Sequence, residues 1–161
     1  MIGMDNRHIK FMQRAIELAR TGMESGAGGP FGTVVVKDNE IIAEGWNKVT
    51  SSNDPTAHAE VTAIRAACEK LGTFQLDGCV IYTSCEPCPM CLGAIYWARP
   101  KKVYYGCNKQ DAADIAFDDQ FIYDEIETPI NQRQIPFQQV AQGDALEVFK
   151  AWAEKVDKTE Y

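Results

Sequence analysis

One histidine and two cysteines form a pattern that suits a metal ion. His58 stands in His58-Ala59-Glu60, and thirty positions later Cys88 and Cys91 stand three residues apart in Pro-Cys-Pro-Met-Cys. At the start of a helix, these two thiols lie on one face of the first turn. The helix dipole there favours the thiolate, which is the form that binds zinc. The three residues therefore predict a zinc site.

Three protein ligands indicate a catalytic rather than a structural zinc. Structural sites close with four protein ligands, whereas three ligands leave a position for a water, whose pKa falls to about 7. Glu60 follows His58 by two residues and is well placed to exchange protons with that water as general base and acid. The pattern thus predicts His58, Cys88 and Cys91 as ligands and Glu60 as the catalytic proton carrier.

The same residues leave other functions open. Cys-x-x-Cys at a helix start is also the dithiol arrangement of thioredoxin-like proteins, although that reading leaves His58 and Glu60 unexplained. A structural zinc needs a fourth ligand such as Cys85, which we expect to line the turn instead. The ligand types favour zinc without excluding iron. The rival from another class is a non-catalytic zinc-stabilised module, in which Glu60 would be dispensable.

Length and composition limit the class of protein. A chain of 161 residues predicts one domain, and 45% hydrophobic residues suffice for its core. The net charge of −7 disfavours a general nucleic-acid partner, and no apolar run approaches the roughly 18 residues of a membrane span. Residues 1–10 lack the apolar stretch of a secretory signal, so we expect a cytoplasmic protein with reduced thiols.

Hydrophobic periodicity predicts the elements that position the site. A first helix is expected to bury Ile9, Met12, Ile16, Ala19 and Met23. Strands alternate with helices after it, which predicts a mixed sheet, parallel in its later strands and covered by helices on both faces. The expected elements are a hairpin of 33–36 and 40–46, a helix over 57–71, a strand over 79–83, a helix over 89–98, a strand over 102–106, a helix over 117–125, an extended segment at 138–140 and a helix over 145–155.

A family resemblance lies in three segments of the chain. These are Asp54-Pro-Thr-Ala-His-Ala-Glu60, Cys85-Glu-Pro-Cys-Pro-Met-Cys-Leu-Gly-Ala-Ile95 and Asp111-Ala-Ala through Phe117-Asp-Asp-Gln-Phe-Ile-Tyr123. Together they resemble the short guanine deaminases of the cytidine deaminase superfamily, over roughly residues 25–140. The first two segments carry the zinc signature of nucleobase deaminases in general, and the third is the one that indicates guanine.

This resemblance implies a fold and a reaction. The fold is a three-layer α/β/α sandwich with a mixed five-stranded sheet, formed by a single domain over residues 1–161. The reaction is hydrolysis of the amidine C–N bond of guanine to give xanthine and ammonia, as in purine catabolism, with one zinc ion per subunit. The resemblance also implies a homodimer in which residues 141–161 dock as a tail on the partner. Free purine base and water are then the partners, with neither nucleic acid nor membrane.

The resemblance further implies roles for individual residues. His58, Cys88 and Cys91 hold zinc, Glu60 shuttles the proton, and Asp119 is a second catalytic carboxylate near the leaving amino group. The residues implied to contact the substrate are Asn47, Phe31, Trp97, Ala59, Cys88 and, at the end of the tail, Tyr161.

Local reasoning leaves alternatives for several of these roles. Asn47 is equally an ordinary turn residue, and Phe31 and Trp97 are equally core aromatics. The sequence alone does not choose between Asp118 and Asp119, which could also be a solvated acidic pair or a helix cap. The helix over 145–155 is also typical of intramolecular packing. Other substrates that fit the zinc motifs are another free base, a triazine or the wobble adenosine of a tRNA.

Overall fold

The computed structural model describes residues 6–161. Of the polar N-terminal stretch 1–10, residues 1–5 lie outside the described residues. Within residues 6–161, no helix has the length and apolar character needed to cross a membrane. The chain divides into two compact units, Met1–Asp119 and Gln120–Tyr161, and the zinc-site motifs all lie in the first.

The predicted hairpin is confirmed. Strand β1 (Gly32–Lys37) pairs antiparallel with β2 (Glu40–Trp46), and Asp38 and Asn39 form the two-residue turn between them. Both turn residues have positive φ, 50° and 65°, which is the backbone conformation of a type I′ turn. Asp and Asn tolerate this conformation better than most residues, so the local sequence by itself favours the turn.

The sheet of the first unit has the order β2-β1-β3-β4. Strand β3 (Val80–Cys85) runs antiparallel to β1, and β4 (Lys102–Cys107) runs parallel to β3, as the alternation of strands and helices predicts. The implied fifth strand is wrong, because the sheet formed within residues 6–161 has four strands. Residues 138–140 form no strand, and Val140 in this stretch is 77% exposed, without the buried alternate face that stabilises a strand.

Helices cover both faces of this sheet, which confirms the three-layer α/β/α arrangement. Helix α1 (Asn6–Glu24) packs on the face that carries Val34, Val36 and Tyr82. Helices α3 (Ala59–Leu71) and α4 (Pro89–Ala98) pack on the opposite face, which carries Val35 and Ile81. Two short helices, α2 (Val49–Ser52) and α5 (Lys109–Ala113), follow β2 and β4.

The buried face of α1 differs from the predicted one. Of the predicted residues, Ala19 is buried and Met12 is partly buried, whereas Ile9, Ile16 and Met23 are 44%, 45% and 47% exposed. The other buried residues of the helix are Phe11, Ala15, Leu18 and Gly22. The true stripe therefore lies one residue earlier, about 100° around the helix. Gly22 explains the shift in part. A β-carbon at Gly22 would lie 2.7 Å from the Trp46 ring, so the helix can approach this ring only where it has a glycine.

Two glycines let the helices approach the sheet closely from opposite sides. A β-carbon at Gly32 would lie 2.2 Å from the carbonyl oxygen of Ala15 in α1. A β-carbon at Gly45 would lie 2.5 Å from the carbonyl oxygen of Ala59 in α3. Because no side chain intervenes, the first turn of α3 rests directly on β2. This contact fixes the distance between the sheet and the residues at the start of α3.

The second unit is helical. It contains α6 (Gln120–Glu127), a 3-10 turn (Ile130–Gln132) and α7 (Gln142–Glu154). Helix α7 has no buried residue, although its sequence is amphipathic, and Phe149 and Val148 are 73% and 66% exposed. The single-domain assignment for residues 1–161, with 141–161 as a tail, stays a prediction.

Candidate active site

The starts of α3 and α4 carry two of the predicted metal ligands. His58 is the N-cap residue of α3 and Cys88 is the N-cap residue of α4. Neither side chain makes the capping hydrogen bond that residues at this position often make, so both remain directed to other partners. Pro89 at the first position of α4 presets the backbone angle that a helix needs. Both helices thus present their positive N-terminal ends to the site.

The ligand atoms of His58, Cys88 and Cys91 converge. His58 Nδ1 lies 3.6 Å from Cys88 Sγ and 3.5 Å from Cys91 Sγ, and all three ligand atoms lie within 4.8 Å of one another. A tetrahedral zinc, with Zn–S near 2.3 Å and Zn–N near 2.0–2.1 Å, separates such atoms by about 3.6 Å. The donor set and its spacing therefore fit zinc. Cys91 is buried, while His58 and Cys88 keep one side open.

The surroundings of Cys88 favour its thiolate. The hydrogen bond with Cys91 and the neighbouring His58 lower the pKa of Cys88 to about 4, against the opposing effect of burial. The pKa of His58 is raised, first by its hydrogen bond with Cys88. A charged sulfur beside an imidazole at a helix N-terminus is the arrangement that lowers thiol pKa values and binds metal ions.

Glu60 lies beside this cluster and is buried, with 6% of its surface exposed. Its Oε2 lies 3.4 Å from Cys91 Sγ, and its Oε1 accepts a hydrogen bond of 3.1 Å from the Thr83 hydroxyl. Burial is the main cause that raises the pKa of Glu60 above its usual value. A raised pKa makes a carboxyl group better suited to both accept and return a proton.

Thr83 is a site residue that the motifs do not reveal, and Thr33 lies next to it. The Thr33 hydroxyl donates to Thr83 Oγ1 at 2.9 Å. One signal was present in the sequence. In the strands 33–36 and 79–83, Thr33 and Thr83 share an alternating face with Val35 and Ile81, so each interrupts an apolar stripe with a hydroxyl.

Asn47 and Phe31 lie together at the end of the hairpin. Asn47 is 5% exposed, its Oδ1 accepts from the N–H of Val49 at 3.1 Å, and its backbone N–H donates to the carbonyl of Phe31 at 3.0 Å. Gly28 packs against this amide, because a β-carbon there would lie 2.1 Å from Asn47 Oδ1. The Oδ1 atom is thus engaged inside the chain, which makes Nδ2 the group of Asn47 that offers donors.

The loop that contains Asn47 is tied to the metal cluster. The N–H of Lys48 donates to the carbonyl of Ala57, one residue before His58, at 2.9 Å. Phe31 also meets Phe117 edge to face, with ring centroids 4.9 Å apart, above Gly29. Phe117 is therefore a second aromatic residue of this region that was not among the predicted substrate contacts.

The structure distinguishes Asp119 from Asp118. Asp119 is half-buried and Asp118 is exposed. Burial, and then the charge of Cys88, raise the pKa of Asp119. The carboxyl group of Asp119 is therefore within electrostatic reach of Cys88, and its catalytic role stays a prediction.

The remaining predicted substrate contacts differ in their surroundings. Ala59 is fully buried as the first residue of α3, next to His58. Trp97 lies near the end of α4, six residues and about 9 Å of helix beyond Cys91, and is 64% exposed. Tyr161 ends the second unit and is 69% exposed. The substrate roles of these three residues stay predictions.

Cys85 lies outside the cluster of ligand atoms. Its Sγ contacts the carbonyl oxygen of Asn108 at 3.8 Å, and burial raises the pKa of its thiol to about 12. Among residues 6–161, the group found to suit a metal ion is His58, Cys88 and Cys91, without a fourth residue.

A family model described as the cytidine and deoxycytidylate deaminase zinc-binding region matches residues 5–107. The chain belongs to this family. The matched region contains the convergent ligand set and Glu60, so zinc is the cofactor of this deaminase.

Individual relatives of this deaminase differ in the share of its chain that they cover. The guanine deaminase of Bacillus subtilis is 61% identical over 154 residues, which cover 96% of this chain and 99% of the relative. The X-ray structure of guanine deaminase from Bacillus subtilis has a TM-score of 0.93 and 60% identity, covering 98% of this chain and 99% of that one. A tRNA-specific adenosine deaminase of Agrobacterium fabrum is 45% identical over 96 residues, 60% of this chain and 62% of the relative.

The deaminase is expected to lose its zinc when any one of the three clustered residues is changed. The wild-type protein should carry about one zinc per chain, whereas His58→Ala, Cys88→Ala and Cys91→Ala should each retain less than about a tenth of that after dialysis. Elemental analysis measures the metal, and a lower unfolding temperature should accompany its loss.

Cys85→Ala is the matched control for this measurement. It removes a buried thiol three residues before Cys88 without touching the cluster, so the zinc content should equal that of the wild type. Zinc loss in Cys85→Ala would instead make the site a four-ligand structural one.

Proposed function

We propose that this chain is a guanine deaminase, which hydrolyses guanine to xanthine and ammonia. The observation that carries the proposal is the buried carboxyl group of Glu60 beside the three-donor zinc cluster. The substrate follows from similarity to a guanine deaminase over nearly the whole of both chains. The chemistry and the substrate thus rest on two independent observations.

Deamination of a tRNA adenosine is the less supported alternative. The tRNA deaminase shares 96 aligned residues with this chain, whereas the guanine deaminase shares 154. The net charge of −7 also opposes binding to a phosphate backbone, since tRNA recognition relies on basic surfaces.

The residues of the site divide the reaction between them. His58, Cys88 and Cys91 would hold zinc, which supplies Lewis acidity and lowers the pKa of water to about 7. Glu60 takes a proton from the attacking water and delivers it to a ring nitrogen of guanine. The oxygen of that water replaces the amino group on the same carbon, and the amino group leaves as ammonia. Asp119 supplies a proton to the leaving amino group and recovers one from the added hydroxyl group as the carbonyl forms, so both protons of the water are accounted for.

Substrate binding is assigned to the cluster at the end of the hairpin. Asn47 offers its Nδ2 donors to an acceptor on the purine, and the bond from the N–H of Val49 to its Oδ1 orients the amide. Phe31, with Phe117 at its edge, offers an aromatic surface on which a flat base stacks. The backbone N–H groups around Ala59 and Cys88, at two helix N-termini, stabilise negative charge that develops on the base during the reaction.

We further infer a cytoplasmic homodimer in which each chain is a single deaminase domain with a C-terminal tail on its partner. The support is the amphipathic helix α7, whose large apolar residues are uncovered within one chain. Several large apolar side chains exposed on one helix are typical of an interaction site. The tail ends at Tyr161, which would then close the site of the neighbouring subunit, with Trp97 as a further aromatic residue at that site.

The purified zinc-loaded protein should release ammonia from guanine. Glu60→Gln keeps the size of the side chain and removes the proton carrier, so kcat should fall by about 100- to 10,000-fold with zinc still bound. Ammonia release is compared for guanine, cytosine, adenine, guanosine, a triazine and a tRNA anticodon stem. Release from a different substrate alone would reject guanine, and release from none by zinc-loaded protein would favour the structural module.

Asp119 and Asp118 give a matched pair for the second carboxyl group. Asp119→Asn should lower kcat on guanine by about 10- to 100-fold, because the half-buried carboxyl group can no longer donate its proton. Asp118→Asn changes the net charge equally and should stay within about twofold of wild type. Equal effects of the two variants would contradict a role for Asp119 in proton transfer.

Mixed dimers test whether the tail acts on the partner. Sedimentation should show a dimer at micromolar concentration, and Glu60→Gln and Tyr161→Ala chains should each be weakly active alone. If Tyr161 closes the neighbouring site, mixing the two variants restores about a quarter of wild-type activity, because half of the dimers are mixed and each has one intact site. A mixture no better than its components, or a fully active monomer, would reject the tail exchange. Val156→Ala, an exposed change in the same tail, is the control.

A further inference from the structure

Two buried threonines lie on the sheet beneath Glu60. Thr33 on β1 and Thr83 on β3 are directly opposite each other in the antiparallel pairing, and they are 0% and 1% exposed. They occupy the face of the sheet that α3 covers, in line with Val35 and Ile81. We call Thr33 and Thr83 the hydroxyl pair.

The hydrogen bonds of the hydroxyl pair run in one direction. Thr33 donates to Thr83 at 2.9 Å, and Thr83 donates to Oε1 of Glu60 at 3.1 Å. A hydroxyl group can donate only one hydrogen bond. Thr83 donates its bond to Glu60 and accepts the bond from Thr33. A chain of such bonds polarises each member, which strengthens the last bond to the carboxyl group.

The two oxygens of Glu60 are therefore not equivalent. Oε1 is directed into the sheet and accepts from Thr83, whereas Oε2 lies 3.4 Å from Cys91 Sγ, on the side of the metal cluster. The terminal torsion of a glutamate is broad and roughly twofold, so an unrestrained carboxyl group would exchange its oxygens easily. The bond from Thr83 opposes that rotation.

We propose that the hydroxyl pair is a positioning device for catalysis, which holds Oε1 of Glu60 so that Oε2 is the oxygen that accepts and returns the proton. This inference rests on the proposed deaminase function, in which Glu60 carries one proton from water to the base. In this role Thr83 and Thr33 act through Glu60, to which their hydrogen bonds lead.

Packing by itself does not explain the two hydroxyl groups. Valine has nearly the shape of threonine and suits a buried strand position. The neighbours of Thr33 and Thr83 on the same face, Val35 and Ile81, are themselves buried and apolar. Two facing valines would also remove the cost of burying polar groups. The hydroxyl groups therefore point to a role beyond filling the core.

Thr83→Val tests the proposal directly. It should lower kcat on guanine by about 10- to 100-fold and leave KM within about twofold, since it removes one hydrogen bond to a charged group and no substrate contact. Thr83→Ser, which keeps the hydroxyl, should restore kcat to within about threefold of wild type. Thr33→Val removes only the second bond of the chain and should lower kcat less than Thr83→Val.

Val35→Ala is the control for a general loss of stability. It opens a cavity on the same strand and face two residues from Thr33, so it should lower the unfolding temperature and leave kcat unchanged. Zinc content should equal that of the wild type in all four variants. A Thr83→Val protein with wild-type kcat, or a Thr83→Ser protein as impaired as Thr83→Val, would overturn the proposal.

An infrared measurement separates this inference from the proposed function. The carboxyl band of Glu60, obtained as the difference between wild type and Glu60→Gln, should shift in Thr83→Val and remain in place in Val35→Ala. A wild-type protein that does not deaminate guanine would reject the proposed function, whereas an unshifted band would reject the hydroxyl pair whatever the substrate.

Discussion

Two helix N-termini meet at one point above a face of the sheet, and the rest of the site depends on that meeting. His58 and Cys88 are the N-cap residues of α3 and α4, and their ligand atoms lie 3.6 Å apart. Two positive helix ends repel each other unless negative groups lie between them. The thiolate of Cys88, which its surroundings favour, supplies negative charge between the helix ends, so the ligand cluster and the packing of the two helices stabilise each other.

Close contact between backbones fixes the geometry of this meeting point. Gly45 allows the first turn of α3 to rest on β2, with room for no side chain between them. The N–H of Lys48 binds the carbonyl of Ala57, and so holds the chain just before His58. Small errors here would separate ligand atoms that zinc needs within a few ångströms, which explains why backbone rather than long side chains makes these contacts.

Burial gives Glu60 its chemistry and also sets a requirement for partners. A buried carboxyl group has a raised pKa, which suits a residue that must accept and return a proton. The same burial makes an unpartnered oxygen costly. Thr83 donates to Oε1 from the sheet, and Cys91 contacts Oε2 from the metal cluster. Each oxygen of Glu60 therefore has a partner on its own side.

The sequence by itself determined what depends on near neighbours in the chain. The Asp38-Asn39 turn, the helix start at Pro89 and the ligand types and spacing of His58, Cys88 and Cys91 were all predicted, because each rests on local backbone preference or on one turn of helix. Tertiary structure decided the rest. The buried face of α1, the four-stranded sheet within residues 6–161, the greater burial of Asp119 than of Asp118 and the alignment of Thr33 with Thr83 depend on which surfaces meet. Thr33 and Thr83 are fifty positions apart. Strand register brings them together, and register is set by packing across the whole sheet rather than by the residues on either side.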